Sequence, residues 1–515
     1  MLPDRKRFNL GYIASATAEA DPQRVAIIDF PAGRERVTRY GELDERLDRV
    51  ASFFVALGLR KGDRVAVIVG NRAEFVEVVY GALRCGCVPV MVNTKLGEAD
   101  LTRSLRYVEA SLAVVDPEVC AHALASVDQA GVAHRVLLEP ARCAGWLPYE
   151  ASVSASSSRF DAPDMASTDI ADFCFTSGSS GAPKAVMTSH RAVLLKLYLY
   201  GNLIRSMSGG EIRTLVALPI FHANGRLSIG SALQTGGQVI IQPRFDAREA
   251  LQNLTRYRVS YFLGVAPAYA AMLKEQDLLD SLDFSSLRQL FVGSASSGGD
   301  ILARVVKALD VRIIHTYGST EAGVVMQAEP RTEGFASCGR PFPGVEVKLI
   351  DPDSGEEGSS GELWVHTEWL AQGYWKQPEL TAQRFVGGWY RSGDLFERDA
   401  DGLYYVRGRI DDMFNVGGEK VYPGDVEKIL QQHPDVMSVV VAPMAHATKG
   451  EVPGAMVIAK PGTHPDEASV REFFLAHGAA YAHPRRVVFV EAFPVASTGK
   501  VDRKAVRQRL EDRSQ

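Results

Sequence analysis

Two short runs narrow the fold class at once. DRVAVIVG (63–70) and CVPVMVN (87–93) are apolar almost throughout and lack the alternation of a strand with one wet face. Strands of that kind are buried on both faces. Between them, NRAEFVEVVYGALRCG (71–86) has the texture of a helix. Just upstream, Leu43, Leu47, Val50 and Phe54 recur at helical spacing, and Gly58 is a plausible stop. A buried strand, a helix and another buried strand imply parallel pairing and an α/β fold.

The 515 residues are enough for more than one domain. A Ser-rich polar connector, SVSASSSRFDAPDM (152–165), precedes the strand pattern IADFCFTS (170–177). That strand runs straight into a glycine- and hydroxyl-rich loop, and HRAVLLKLYLYGNLI (190–204) follows as a helix. Strand, loop and helix in that order let backbone amides converge on an anion. From about residue 340 the texture changes to alternating strands separated by acidic Gly/Ser turns. The last hundred or so residues read as a small α+β unit, with a joint near Arg409–Asp412. The expected domains are therefore a large N-terminal domain, 1–409, and a small C-terminal one, 410–515. The first would hold parallel-rich sheets with flanking helices and a small β subdomain.

Composition excludes several classes. With 46% hydrophobic and 23% charged residues, the chain has ordinary globular composition. A net charge of −5 gives no sign of a nucleic-acid binder. No apolar run approaches the roughly 20 residues of a membrane helix. The N-terminus is a poor secretory signal and LEDRSQ is no peroxisomal tripeptide, so a cytoplasmic protein is expected. The six cysteines have neither disulfide-framework nor zinc spacing and read as reduced thiols.

The chemistry gathers in a few stretches. In TSGSSGAPK, Thr176, Ser177, Ser179 and Ser180 supply hydroxyls, while Gly178 and Gly181 let the backbone bend around phosphate oxygens. Lys184 adds a compact positive charge. The spacing fits neither a Walker A loop nor a dinucleotide fingerprint. In HTYGSTEAG, Tyr317 can stack on a base, Thr320 can donate to a phosphate and Glu321 can hold Mg²⁺. Asp394 suits a pair of ribose hydroxyls. Arg409 lies in RGRIDD, and Lys500 sits on a glycine-flexible loop in ASTGK. Each alone reads as a solvated or salt-bridged surface residue; only their joint presence points beyond that.

These motifs, in order from GDRVAV to the C-terminus, resemble the AMP-forming adenylating superfamily. That group includes acyl- and aryl-CoA synthetases, peptide-synthetase adenylation domains and beetle luciferases. The resemblance implies that TSGSSGAPK covers the β- and γ-phosphates of ATP. It implies that Ser294, Ala295 and Ser296 lie beside the adenine, and that Tyr317, Gly318, Ser319, Thr320 and Glu321 form the adenine, α-phosphate and magnesium motif. Asp394 matches the ribose aspartate, Arg409 the arginine before the hinge and Asp411 the hinge. Lys500 matches the lysine that bridges carboxylate and α-phosphate, where acetylation would remove its charge. Gly417, Gly418, Glu419 and Lys420 would form the thiol-side loop brought in when the small domain rotates. One departure is visible: the family loop reads P-K-G, and here Ala185 follows Lys184. Its methyl is tolerated unless that backbone needs positive φ.

The resemblance also bears on acid and acceptor. Adenylation domains for α-amino acids carry an aspartate after the phenylalanine of this motif, to pair the ammonium; here His222 stands there. His222 instead resembles the aromatic gate of CoA synthetases. The acid pocket is expected around His222, Ala223, Asn224, Gly225, Gly318, Gly323, Val324 and Val325. Arg226 is the one nearby cation noted as able to meet a second carboxylate; its other reading is a salt bridge. With no fused carrier domain, free CoA is the expected thiol. The expected enzyme is an ATP-dependent carboxylic acid–CoA ligase using ATP, Mg²⁺ and CoA. A carrier-loading adenylating enzyme, a luciferase-like oxygenase and a non-catalytic ATP-binding protein are the alternatives. A homodimer is compatible with any of them.

Overall fold

The buried runs pair as their apolarity requires. In the computed structural model, Arg64–Ile68 lies parallel to Val88–Met91 on one side and to Ala110–Val115 on the other. The structure describes residues 8–139, 142–177, 183–293, 299–328, 337–494 and 501–512. Helix Ala73–Arg84 links the first two strands, and every residue of it is buried. Ala66, Val90 and Ala113 pack with Leu101, Leu105 and Val127 of the covering helices in one core.

The described chain forms two compact units. The first comprises residues 1–346 and 365–390, and the second 347–364 and 391–515. The 409–410 boundary lies inside the second, where Ile410–Asp412 makes a single tight turn.

Two sheets organise the first unit. In one, Ile170–Ser177 pairs parallel with Val88–Met91 and antiparallel with Pro183–Ser189. In the other, Val25–Asp29, Gln238–Ile241, Arg213–Val216, Tyr261–Gly264, Gln289–Gly293 and Arg312–Ser319 run parallel in that spatial order. Gly323–Ala328 then returns antiparallel beside Arg312–Ser319. Leu215, Ile240, Phe262, Leu290 and Ile313 from these strands pack against Leu251, Leu254, Leu302 and Val305 of the helices. Ligands of such sheets bind beyond the carboxyl ends of the strands. Here residues 178, 294 and 320 each follow directly on a strand end.

One sequence expectation changes. The strand–loop–helix reading of the glycine-rich segment overlooked a strand. Chain direction reverses after the loop, and PKAVMTS returns as Pro183–Ser189 before helix His190–Met207 begins at the Ser189 cap. Thr and Val in that stretch favour a pleated surface, and burial of Ala185 and Val186 holds it as a strand. The loop therefore closes a hairpin and is not followed directly by a helix N-terminus.

The second unit matches the expected α+β texture. Val436–His446 and Gly450–Ala459 form a long antiparallel pair, with Arg486–Phe489 added in parallel. Helices Pro423–Leu430, Glu467–His477 and Arg503–Glu511 bury Val426, Leu430, Val470, Phe474, Val506 and Leu510 against Val441 and Val457. Mixed α/β architecture with a small C-terminal α+β portion is thus the fold.

Candidate active site

The stem of the glycine-rich loop brings two expected residues face to face. Thr176 and Lys184 are register partners across the hairpin, with Phe175 opposite Ala185. Lys184 thus sits at the mouth of the loop. Ser177 ends the outgoing strand; Gly178, Ser179, Ser180 and Gly181 lie outside the described residues. Ala185 is fully buried in strand, is absent from the positive-φ positions, and its carbonyl accepts from Trp375 N at 2.9 Å. The departure from P-K-G is therefore accommodated without strain.

The YGSTE segment ends strand Arg312–Ser319 and turns back. Glycine is required at 318, because a Cβ there would stand 2.1 Å from the carbonyl oxygen of Gly323. The turn closes through Ala322 N donating to Ser319 Oγ at 3.1 Å. Glu321 is buried at its apex, and Tyr374 Oη donates to Glu321 Oε1 at 2.9 Å. Burial, and then the Glu321 carboxylate, push the Tyr374 phenol above the usual tyrosine range, so it stays a donor. Trp369 Nε1 fixes the far side by donating to Ala322 O at 2.9 Å.

The HANG segment meets the strand ends. His222 is the N-cap of helix Ala223–Gln234, and its ring lies 4.4 Å from that of Phe221. A Cβ on Gly293 would lie 3.4 Å from both Asn224 Nδ2 and Thr316 Oγ1. Asn224 thus reaches the place where strands 289–293 and 312–319 end, beside Tyr317 and Gly318. Gly225 packs on Ile220 so closely that a Cβ would be 2.9 Å from its Cα. Gly323 begins the return strand, followed by half-buried Val324 and buried Val325. Ser294, Ala295 and Ser296 follow Gly293 but lie outside the described residues.

Behind this wall is a charged cluster that the sequence reading caught only in part. Arg226 is ion-paired through Nη1 with Asp172 Oδ2, which settles its salt-bridge reading. Burial works against the Arg226 charge, but Asp172 and its other neighbours outweigh this and hold its pKa above the usual arginine range. Cys174 lies two residues on from Asp172, and burial pushes its thiol up. Lys196, from helix His190–Met207, belongs to the same cluster, and burial lowers its pKa. Asp172 and Lys196 were legible as a carboxylate and an ammonium inside apolar runs, IADFCF and AVLLKLYL. Tyr374 and Trp369 carry no such signal.

Breaking the pair tests this packing. Asp172→Asn leaves Arg226 charged and unpaired, and the expected loss is about 3–5 kcal/mol. Denaturant unfolding measures it, and adding Arg226→Met should recover most of the loss.

In the second unit, Asp394 and Arg409 are register partners on paired strands Trp389–Arg398 and Tyr404–Arg409. Arg409 Nη1 donates to Asp394 Oδ1 at 2.8 Å, and Nη2 lies 3.5 Å from Asp411 Oδ2. Gly417 and Gly418 form the tip of a hairpin between Phe414–Val416 and Glu419–Val421, with φ of 62° and 100°. Two successive positive φ values are what a tight two-residue hairpin demands. Glu419 is exposed there, and Lys420 is ion-paired with Asp353. Lys500 lies outside the described residues. Just past it, Arg503 binds Glu427 Oε1 at 2.9 Å and Asp412 Oδ2 at 3.3 Å.

A hydroxyl- and lysine-bearing hairpin, a buried carboxylate on a strand-end turn, and a facing helix start with no carboxylate define a class. It is the arrangement expected of an enzyme that activates an acid at a nucleotide site beyond the strand ends. The chain belongs to the AMP-binding enzyme family. That family's model matches residues 14–375, and the model of the AMP-binding enzyme C-terminal domain matches 425–500. A feruloyl-CoA synthase of Amycolatopsis sp is 32% identical over 482 residues, covering 92% of this chain and 94% of that one. A 2-succinylbenzoate–CoA ligase of Geobacillus kaustophilus is 31% identical, covering 95% of each. The solved anthranilate CoA ligase AuaEII, in complex with anthranoyl-AMP, superposes with a TM-score of 0.87 at 27% identity, covering 99% of this chain and 98% of that one. These likenesses agree with the expected acid–thiol ligase of the acyl-CoA synthetase branch. All six cysteines are free, and no described helix is long and apolar enough to cross a membrane.

Proposed function

We propose that this chain is an ATP-dependent carboxylic acid–CoA ligase acting in two half-reactions. A carboxylate oxygen attacks the α-phosphorus of ATP, the bond to the bridging oxygen breaks, and pyrophosphate leaves. The thiol of CoA then attacks the acyl carbon, its proton is lost, and AMP leaves. The observation that carries this reading is the Thr176–Lys184 pair at the mouth of the Ser/Gly hairpin, in a chain that also buries Glu321 at a strand-end turn. Phosphoryl chemistry of this kind is mostly positioning and charge neutralisation.

In this reading Thr176, Ser177 and Lys184 hold the outer phosphates with the loop they flank. Tyr317 and residues 294–296 take the adenine, and Thr320 the α-phosphate. The Glu321 carboxylate accepts one phenolic hydrogen bond and keeps lone pairs for a hard cation. Among the described residues no cluster of three or more ligands forms a cage. That donor chemistry fits Mg²⁺, which takes one or two carboxylates and completes its shell with phosphates and water. When bound, Mg²⁺ would neutralise phosphate charge. Lys500 bridges the acid and the α-phosphate. Rotation about Asp411 withdraws Lys500 and presents the Gly417–Lys420 hairpin to the thiol. His222 stands where an ammonium-binding carboxylate would be, which favours an acid without an α-amino group. Cytoplasmic placement, a homodimer and acetylation at Lys500 belong with this reading as further proposals.

Pyrophosphate release from a panel of carboxylic acids, with and without CoA, tests the activity. Thioester formation on a phosphopantetheinylated carrier instead of CoA would move the acceptor assignment to the carrier-loading alternative. Asp394→Ala should raise KM for ATP about tenfold or more while kcat falls less, since a ribose contact is made in ground and transition states alike. A loss confined to kcat would place Asp394 in the chemical step.

A further inference from the structure

In the charged cluster behind the acid-pocket wall, one cation has no ion-pair partner among the described residues. Asp172 is already ion-paired with Arg226. Lys196 is a second cation in the same half-buried region, and it is not hydrogen-bonded or ion-paired to any described residue. Its nearest carboxylate influence, Asp172, acts on it only through space. Lys196 is half-buried, and a cation with no anion beside it is open to pair with one that a ligand brings.

Its position says where that would happen. The Lys196 Cδ and Cε atoms lie 3.1 Å from where a Cβ on Gly323 would stand, so the side chain lies against the strand that follows Glu321. Gly323 has φ of +70°, and a side chain there would displace Lys196 and meet Trp369 Nε1 at 3.4 Å. Trp369 donates to the Ala322 carbonyl on the same side of that strand's start. Cys174, two residues on from Asp172, lies in the field of Arg226, Asp172, Glu321 and Lys196.

We propose that Lys196 pairs with a second acidic oxygen of the substrate, so that the acid activated is bifunctional: one carboxylate is adenylated and a distal carboxylate or phenolic oxygen meets Lys196. This rests on the ligase reading and on the pocket wall at Gly323. The distal group would give Lys196 the ion-pair partner that Asp172 gives Arg226. A lysine held low by burial would also lose this preference as pH rises, earlier than a surface lysine would.

The test compares matched acids in the pyrophosphate assay: glutarate against its monomethyl ester, and 4-hydroxybenzoate against 4-methoxybenzoate. The first pair probes a distal carboxylate and the second a phenolic oxygen. In the native enzyme kcat/KM should favour the uncapped member of one pair by about tenfold or more. Lys196→Met should bring that ratio towards one, and Lys196→Arg should keep most of it. A ratio near one in the native enzyme overturns the proposal without recourse to any variant. A ratio unchanged in Lys196→Met, with melting temperature retained, also overturns it. If no acid releases pyrophosphate, the ligase reading itself fails and takes this inference with it.

Discussion

Lys500→Ala should lose acyl-adenylate formation by about a hundred- to a thousandfold, yet still pass an acyl group from supplied acyl-adenylate to CoA at close to the native rate. The argument rests on where charge develops. In the first half-reaction an anionic carboxylate approaches an anionic phosphate, and the entering and leaving oxygens share the burden. A positive charge between them stabilises the transition state more than either separated reactant. In the second half-reaction the mixed anhydride is already made, and that charge has no equivalent task. Acetylation of Lys500 removes the same charge and should silence the same half-reaction. Isotope exchange between pyrophosphate and ATP reads the first step, and thioester formation from synthetic acyl-AMP reads the second. Parallel loss of both would remove Lys500 from the role given to it.

Asp411→Pro should part the two half-reactions in the opposite sense. Acyl-adenylate should form at near-normal rate, and thioester formation should slow by orders of magnitude. Asp411 is the middle residue of the tight turn Ile410–Asp412, which follows directly on the strand carrying Arg409 and precedes the Gly417–Gly418 hairpin. Proline is tolerated within a first helical turn, so the variant should fold. It also fixes φ near roughly −65° and biases Ile410 away from helical backbone, which removes the freedom a hinge must have. The state expected to be trapped is the adenylating one, the one in which Arg409 and Lys500 would stay on the nucleotide. Because the substitution also deletes the 3.5 Å Arg409–Asp411 ion pair, Asp411→Ala is the matched control. Rapid-quench measurement of each half-reaction decides. Equal slowing of both, or of neither, excludes Asp411 as the hinge.

Much of the fold was legible because its strands are buried on both faces. DRVAVIVG and CVPVMVN cannot be read as anything half-wet, and they pair parallel as expected. The return strand Pro183–Ser189 was not legible in the same way, since Pro183 and Lys184 look like loop and the pattern spans only a few residues. Its existence depends on pairing with Ile170–Ser177, which is a tertiary fact. The site divides similarly. Thr176, Glu321 and Asp394 announce themselves by local pattern. Tyr374 meets Glu321 across 53 positions of sequence, and nothing around it hints at that bond. Lys196 could have been noticed as a charge in an apolar helix, but only packing shows its stem lying against Gly323.

The guanidinium of Arg409 holds Asp394 with one nitrogen and lies beside Asp411 with another. If Asp394 turns to ribose hydroxyls, its bond to Arg409 must be shared, and the balance at Asp411 shifts with it. Coupling of this kind has no direction: whatever nucleoside occupancy does to the freedom of the turn, the turn does to nucleoside affinity by the same factor. A single side chain would then make ATP's grip and the turn's readiness two measurements of one free energy. Selection for a faster turn would accordingly show up first as a change in how tightly the ribose is held.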